Sequence, residues 1–259
     1  SDASALPVQC GHTPLAAMLV LTQSGMGLQV ASSAIITGEF STKGIATAGY
    51  ALFLAGLIAS IAHLGQPFRA WRVFLNLRRS WLSREAVVFG AVMPVATLHL
   101  ATTWELFSIP PLLATVSLLI LAAAAIVCSA MIYVDTRRQF WSPSATFGKF
   151  LATAAIAALS VLHPLAASGA LFLKVAAEGL HLLSRDRAKG SEQLSTRLLR
   201  GPLLTTVLVR VGLGLAAACL LATGNLRLGF AVFAIGEFVE RTLFFRAVAA
   251  PGMPGLPTP

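Results

Sequence analysis

The sequence predicts an all-α, polytopic integral membrane protein with eight transmembrane helices, and two observations support this prediction. Hydrophobic residues make up 56% of the 259 positions, and Asp, Glu, Lys and Arg make up only 11%. A soluble domain is about 45–50% apolar and about 25% charged. The apolar residues are also grouped into segments of roughly 20 residues, the length that a helix needs to cross a bilayer.

Eight such segments follow one another, and no linker between them is long enough to separate two domains. They are predicted at about 14–36, 45–65, 86–104, 112–134, 147–167, 169–184, 203–222 and 228–248. The sixth is short and carries Lys174 and Glu178, which makes it the least typical span. Small residues recur within the spans, as in AAAAIVCSA, and they favour close packing of helices in lipid. Residues 1–259 are therefore predicted to form a single membrane domain.

The basic residues fall on alternate connections between the predicted spans. The second, fourth and sixth connections are rich in Arg and Lys, whereas the opposite face shows only Lys43 and Arg227. The positive-inside rule then predicts that both termini and the three basic connections lie in the cytoplasm. The net charge of +9 is assigned to this anchoring, so a nucleic-acid partner is not predicted.

A polar stretch in the second connection, HLGQPFRAWRVFLNLRRSWLSRE at 63–85, holds five arginines and two tryptophans. Membrane anchoring explains these residues, because tryptophan lies at headgroup depth and arginine extends its side chain to the phosphates. Anchoring does not explain His63 and Glu85, which stand at the two helix ends. They belong to a wider set of ionisable residues that the predicted spans contain: His63, Glu85, His99, His163, Lys174, Glu178, His181, Arg210, Glu237, Glu240 and Arg241.

Some of these residues are predicted to be structural. Lys174 and Glu178 are four residues apart on one helix, a spacing that favours a pair. Arg210 is predicted to pair with Glu237 or Glu240, because buried charges require partners.

His63 and Glu85 allow a functional interpretation. A quinol loses two protons as it gives up two electrons, and an imidazole and a half-buried carboxylate at the lipid boundary can donate hydrogen bonds and accept protons. Three alternatives remain open from the residues alone: ordinary polar helix ends, a bis-histidine haem b site and a transporter. Cys10, Cys128 and Cys219 form no CxxC pair, so no iron–sulfur or other metal site is predicted in this chain.

At these residues the chain resembles the membrane anchor subunits of the DMSO reductase type (DmsC-like), within the wider group of NrfD and polysulfide-reductase anchors. The stretch 63–85 is similar to that family's signature HLG-x-P, AW-R and N-x-RxSWLSRE. Further similar stretches follow in the expected order: CSAMIY at 128–133, LLRGPL at 198–203 and GEFVERTLFFRAVAAPGMPG at 236–255.

The resemblance implies a membrane-anchor domain of eight helices in the bacterial inner membrane, without a haem or iron–sulfur cluster of its own. It implies two partners: a four-cluster ferredoxin-like iron–sulfur subunit and a catalytic subunit with molybdenum bis-(molybdopterin guanine dinucleotide). His63 and Glu85 are then the residues that bind and oxidise or reduce quinone, ubiquinone or menaquinone. Four neighbours are implied to contact quinone or the iron–sulfur subunit: Arg79, Trp81, Ser83 and Arg84.

The first predicted helix bears on the direction of electron flow. Its sequence, HTPLAAMLVLTQSGMGLQVA, resembles the anchors of cytoplasmic sulfite-oxidising molybdoenzymes (SoeC-like). This resemblance favours a sulfite dehydrogenase that passes electrons to quinone. The alternative is a quinol-oxidising anchor of a DMSO reductase or another S- or N-oxide reductase.

Overall fold

Long helices make up nearly all of the structure. A computed structural model describes residues 12–34, 42–62, 71, 73, 76–184 and 191–248. Within them nine α-helices are found: α1 Thr13–Ala34, α2 Thr42–Ala62, α3 Trp81–Thr103, α4 Pro111–Val134, α5 Pro143–Leu162, α6 Pro164–Ser184, α7 Ser191–Arg200, α8 Leu204–Ala222 and α9 Leu226–Arg246. A 3₁₀ turn at Gln139–Trp141 precedes α5.

The all-α membrane fold is confirmed, and the eight predicted segments correspond in order to α1–α6, α8 and α9. In the part of the chain that the structure describes, seven helices are long and apolar enough to cross a membrane. The remaining long helix, α9, contains five charged residues, among them Glu237 and Arg241, and it does not meet that criterion by composition. The number of eight spans therefore stays a prediction.

Three predicted boundaries are wrong by five residues, each because of a local signal: the starts of the third and sixth helices and the end of the fifth. The third helix begins at Trp81 and not at 86, because Ser80 caps it. The fifth predicted segment, 147–167, runs past the real end of α5 at Leu162. Pro164 begins α6, since the fixed φ of proline suits the first turn of a helix and not its interior.

The sixth connection contains a short helix that the sequence pattern did not predict. Helix α7 is amphipathic, and Leu198 is buried on its inner face. Its last residue, Arg200, donates to the carbonyl oxygens of Leu182 and Leu183, at 2.6 and 3.3 Å. These carbonyls end α6, where a cation is favourable. Arg200 therefore attaches α7 to the end of α6.

Helix α1 lies at the centre of the bundle, and 78% of its most apolar window is buried. It packs against α2, α4, α5 and α9. Two glycines allow this close approach. A Cβ atom at Gly25 would lie 2.6 Å from the Phe53 nitrogen of α2, and one at Gly27 would lie 2.3 Å from the Ala154 carbonyl oxygen of α5.

The described basic residues lie mostly at one end of the bundle. This end contains the connections that lead into α3, α5 and α8, with Arg78, Arg79, Arg84, Arg137, Arg138, Arg197 and Arg200. The opposite end has Lys43, which donates to Glu105 at 2.8 Å, and Arg227. The charge asymmetry on which the orientation rests is thus present in three dimensions, and the orientation itself stays a prediction.

Candidate functional site

The turn that leads into α3 is held by its own hydrogen bonds. The Ser80 hydroxyl accepts from the Ser83 amide at 3.3 Å. The Arg84 guanidinium donates to the carbonyl oxygens of Leu77 and Arg78, at 3.0 and 2.9 Å. A charged donor to two turn carbonyls and a cap at the helix start fix the direction in which the first side chains of α3 project.

The predicted contact residues around this turn have different surroundings. Arg79 is exposed, Trp81 is half-buried and Ser83 is buried. Arg84 stacks on the Trp81 ring, with its guanidinium carbon 4.2 Å from the ring centroid. His63 lies outside the described residues, and its relation to the others stays a prediction.

Glu85 lies in the first turns of α3, and its side chain faces α4. It is only 4% exposed. The hydroxyl of Ser129, itself 3% exposed on α4, donates a hydrogen bond to Glu85 Oε1. The carboxylate is therefore inside the bundle near its basic end, and its position depends on two helices.

Aromatic rings cover the same face of α4, one turn beyond Ser129. The Tyr133 ring contacts those of Trp141, Phe150, Phe244 and Phe245, with centroids 5.2 to 5.8 Å apart. The Trp141 indole donates to the Phe244 carbonyl oxygen at 3.1 Å. These rings pack α4 against α5 and α9 one turn from Ser129, the partner of Glu85.

A second polar cluster lies inside the bundle and joins five helices; we call it the ionic network. It contains four cations, three carboxylates and two neutral side chains: Lys149, Lys174, Arg210, Arg241, Glu178, Glu237, Glu240, Gln23 and Thr153.

One half of the ionic network is centred on Glu237. Its carboxylate accepts from Lys174 and from Arg210, the latter at 2.9 Å. Arg210 also donates twice to Glu178, both times at 3.2 Å. The predicted pair of Arg210 and Glu237 is confirmed. The predicted pair of Lys174 and Glu178 is wrong, because each of these side chains bonds to an opposite charge on another helix.

The other half is centred on Glu240. Lys149 and Arg241 both donate to this carboxylate. Arg241 also donates to Gln23 Oε1 and to the Thr153 hydroxyl, each at 2.9 Å. Through Gln23 the network reaches the central helix α1. The sequence pattern singled out the charges of α6, α8 and α9 but missed Lys149, Thr153 and Gln23, since polar residues in α1 and α5 gave no paired spacing.

The partners of the buried carboxylates separate two kinds of site. Glu237 and Glu240 each bond to two cations. Among the described residues, Glu85 is bonded only to a neutral hydroxyl. A carboxylate between cations loses strong attraction when it takes up a proton, whereas a hydroxyl can donate to a carboxylate or accept from a carboxylic acid. Glu85 is therefore the buried carboxyl group best suited to gain and lose a proton.

The described histidines give little support to a bis-histidine haem. His99 is buried, and its Nε2 lies 2.9 Å from the Ser32 hydroxyl. His12, His163 and His181 are exposed. A haem iron between two helices requires two inward-facing histidines, and the described part of the chain provides one.

Comparison with known proteins adds two findings. Residues 11–178 match the family described as DMSO reductase anchor subunit (DmsC). A sulfite dehydrogenase subunit of Allochromatium vinosum is 38% identical over 113 residues, which cover 39% of this chain and 35% of the relative. The chain thus matches about a third of the length of that curated relative.

Proposed function

The chain belongs to the DMSO reductase anchor subunit (DmsC) family, and on this premise we propose that it is the quinone-reactive membrane anchor of a molybdopterin oxidoreductase complex. The resemblance noted at 63–85 is confirmed at the level of the family. Similarity to a subunit of a sulfite dehydrogenase supports sulfite as the electron donor, and the proposal takes quinone as the acceptor.

One observation carries the proposal. Glu85 is a buried carboxyl group whose partner among the described residues is the Ser129 hydroxyl, at the basic end of the bundle. Bound quinone supplies two-electron chemistry that is coupled to two protons. This residue fits that chemistry, because a carboxyl group with a reversible hydroxyl partner can hold a proton at Oε and release it without leaving a buried charge unpartnered.

The neighbouring residues take positioning and docking roles in the proposal. Arg84 and Ser80 hold the turn that aims Glu85. Trp81 and Ser83 are candidates for contact with the quinone ring, and His63 supplies the second hydrogen-bonding and proton-exchanging group. Arg79 is exposed and is available to contact the iron–sulfur subunit.

The basic end of the bundle suggests how the complex is arranged. We place it in the cytoplasm, with both termini, as the positive-inside rule predicts for a bacterial inner membrane protein. A four-cluster ferredoxin-like subunit docked there collects electrons from the molybdopterin catalytic subunit. It delivers them next to the start of α3, where Glu85 lies. Lipids surround the single membrane-anchor domain of residues 1–259.

The complex purified from native membranes tests the proposal. Sulfite oxidation is measured with a soluble ubiquinone or menaquinone analogue and, separately, with an artificial dye that accepts electrons from the catalytic subunit. We expect Glu85→Gln to lower the quinone-linked rate by about 100-fold or more, the usual range for an acid–base group, and to leave the dye-linked rate unchanged. His63→Ala is expected to do the same.

Glu105→Gln is the matched control, because Glu105 lies at the opposite end of α3 with its side chain 79% exposed. Full quinone-linked activity in Glu85→Gln would remove this residue from the site. A complex that reduces DMSO with quinol and does not oxidise sulfite would reverse the proposed direction of electron flow.

A further inference from the structure

Ser129 lies 44 positions after Glu85 in the sequence and on another helix, yet its hydroxyl is bonded to the Glu85 carboxylate. Both side chains are more than nine-tenths buried. We infer that Ser129 is a positioning residue of the quinone site, which holds the Glu85 carboxyl group in one place while the proton is gained and lost. The inference rests on the proposed function, and it names the residue that positions Glu85 for proton exchange.

The chemistry of a hydroxyl explains the choice of serine. Serine can donate one hydrogen bond and accept two, so it can bond to either form of a carboxyl group. With Glu85 ionised, the Ser129 hydroxyl donates to Oε1. With Glu85 protonated, the same hydroxyl can turn and accept. An alanine would leave the carboxylate as a buried acceptor without a partner, which disfavours its ionised form.

The surroundings leave few substitutes for this bond. Cys128 and Tyr133 of α4 lie near the Glu85 carboxylate, but both side chains are neutral near pH 7, and Arg84 precedes Glu85 on α3. Arg84 directs its guanidinium to the turn carbonyls and the Trp81 ring. Within the described residues, Ser129 is therefore the group that determines where the carboxyl group points.

Variants of Ser129 in the purified complex test the inference. We expect Ser129→Ala to lower the quinone-linked kcat about tenfold, as the loss of one hydrogen bond to a charged group implies. The alkaline limb of its pH–rate profile should move to higher pH, since Glu85 must be protonated to give a proton to quinone and the lost donor had favoured the ionised carboxylate. The dye-linked rate should stay at the wild-type value, and Ser129→Thr, which keeps the hydroxyl, should restore most of the quinone-linked rate.

Ser160→Ala is the matched control. Ser160 is also 3% exposed, but its hydroxyl bonds to the carbonyl oxygen of Ala157 in its own helix. The control should show the wild-type rate and pH profile. A Ser129→Ala complex that behaves like Ser160→Ala, while Glu85→Gln is inactive with quinone, would overturn the positioning role and leave the proposed function standing.

Infrared difference spectra recorded between acidic and alkaline pH give a second measurement that needs no turnover. The carbonyl band that Glu85→Gln removes belongs to protonated Glu85. This band should shift in Ser129→Ala and return in Ser129→Thr, because its frequency responds to the hydrogen bond. An unshifted band would contradict the inference directly. Retained quinone activity in Glu85→Gln would instead overturn the proposed site and this inference with it.

Discussion

Glu85 and Glu237 are both carboxylates inside an apolar bundle, and their partners give them different roles. Glu237 is bonded to two cations that keep its ionised form favourable. Glu85 is bonded to a hydroxyl that can form a hydrogen bond with either the ionised or the protonated carboxyl group. The sequence predicted Glu85 as a candidate because it stands at a helix end beside an arginine-rich stretch. It could not predict Ser129 as its partner, since 44 positions separate the two and nothing in CSAMIY indicates which face of the helix is involved.

Arg84 shows how a predicted contact residue can have a structural role. It is a candidate for contact with quinone or a partner, which stays a prediction, and its guanidinium holds the turn before α3. We expect Arg84→Ala to destabilise this turn by about 1 kcal/mol, a modest value because the side chain is partly exposed. Faster amide hydrogen exchange at 78–84 would measure the effect.

Arg84→Lys should restore only part of this protection, because lysine lacks the planar fork that reaches two carbonyls at once. Arg79→Ala is the control, since the Arg79 side chain is exposed. Equal exchange rates in the Arg84 and Arg79 variants would show that the turn does not depend on the guanidinium.

At the scale of elements, apolar length predicted the order of the long helices that the structure describes, and capping chemistry decided where they begin and end. Ser80 and Pro164 set boundaries that a hydropathy pattern does not resolve. Helix α7 was missed because its ten residues are mostly polar and form no transmembrane pattern. What hydropathy cannot give is the close packing of α1, which depends on single glycines.

Gly27 provides a test of that packing. We expect Gly27→Ala to push α5 away from α1, because its Cβ would lie 2.3 Å from a backbone oxygen that cannot move alone. Overpacking of this kind costs about 1–3 kcal/mol. The measurement is the half-life of the folded chain in detergent at raised temperature.

Gly212→Ala on α8 is the matched control, because its Cβ would meet nothing within 4 Å. Replacing glycine by alanine in a helix interior favours the helix, so this variant should be as stable as the wild type or more so. A Gly27 variant with the same half-life as the Gly212 variant would contradict the close contact of α1 with α5.

At the scale of the whole molecule, the ionic network replaces part of what a hydrophobic core does in water. Lipid is as apolar as the helices it surrounds, so helices in a membrane associate through close packing and polar bonds. Bonds from Lys149, Lys174, Arg210 and Arg241 join α5, α6, α8 and α9, and Gln23 adds α1. The pattern of charges in the sequence indicated that such pairs exist, and only the fold decides which ones form.

Glu237 is the member on which most depends, because it faces both Lys174 and Arg210. We expect Glu237→Gln to destabilise the bundle by about 3–5 kcal/mol, since it leaves two buried cations with one carboxylate fewer. The double variant Glu237→Gln with Lys174→Met should recover part of this loss, because one uncompensated charge is removed as well.

Thermal inactivation half-lives in detergent measure both effects, and Glu105→Gln, which breaks an exposed ion pair, should change them little. Additive losses in the double variant would mean that Glu237 and Lys174 do not act as a pair, and the network would then be a set of separate contacts.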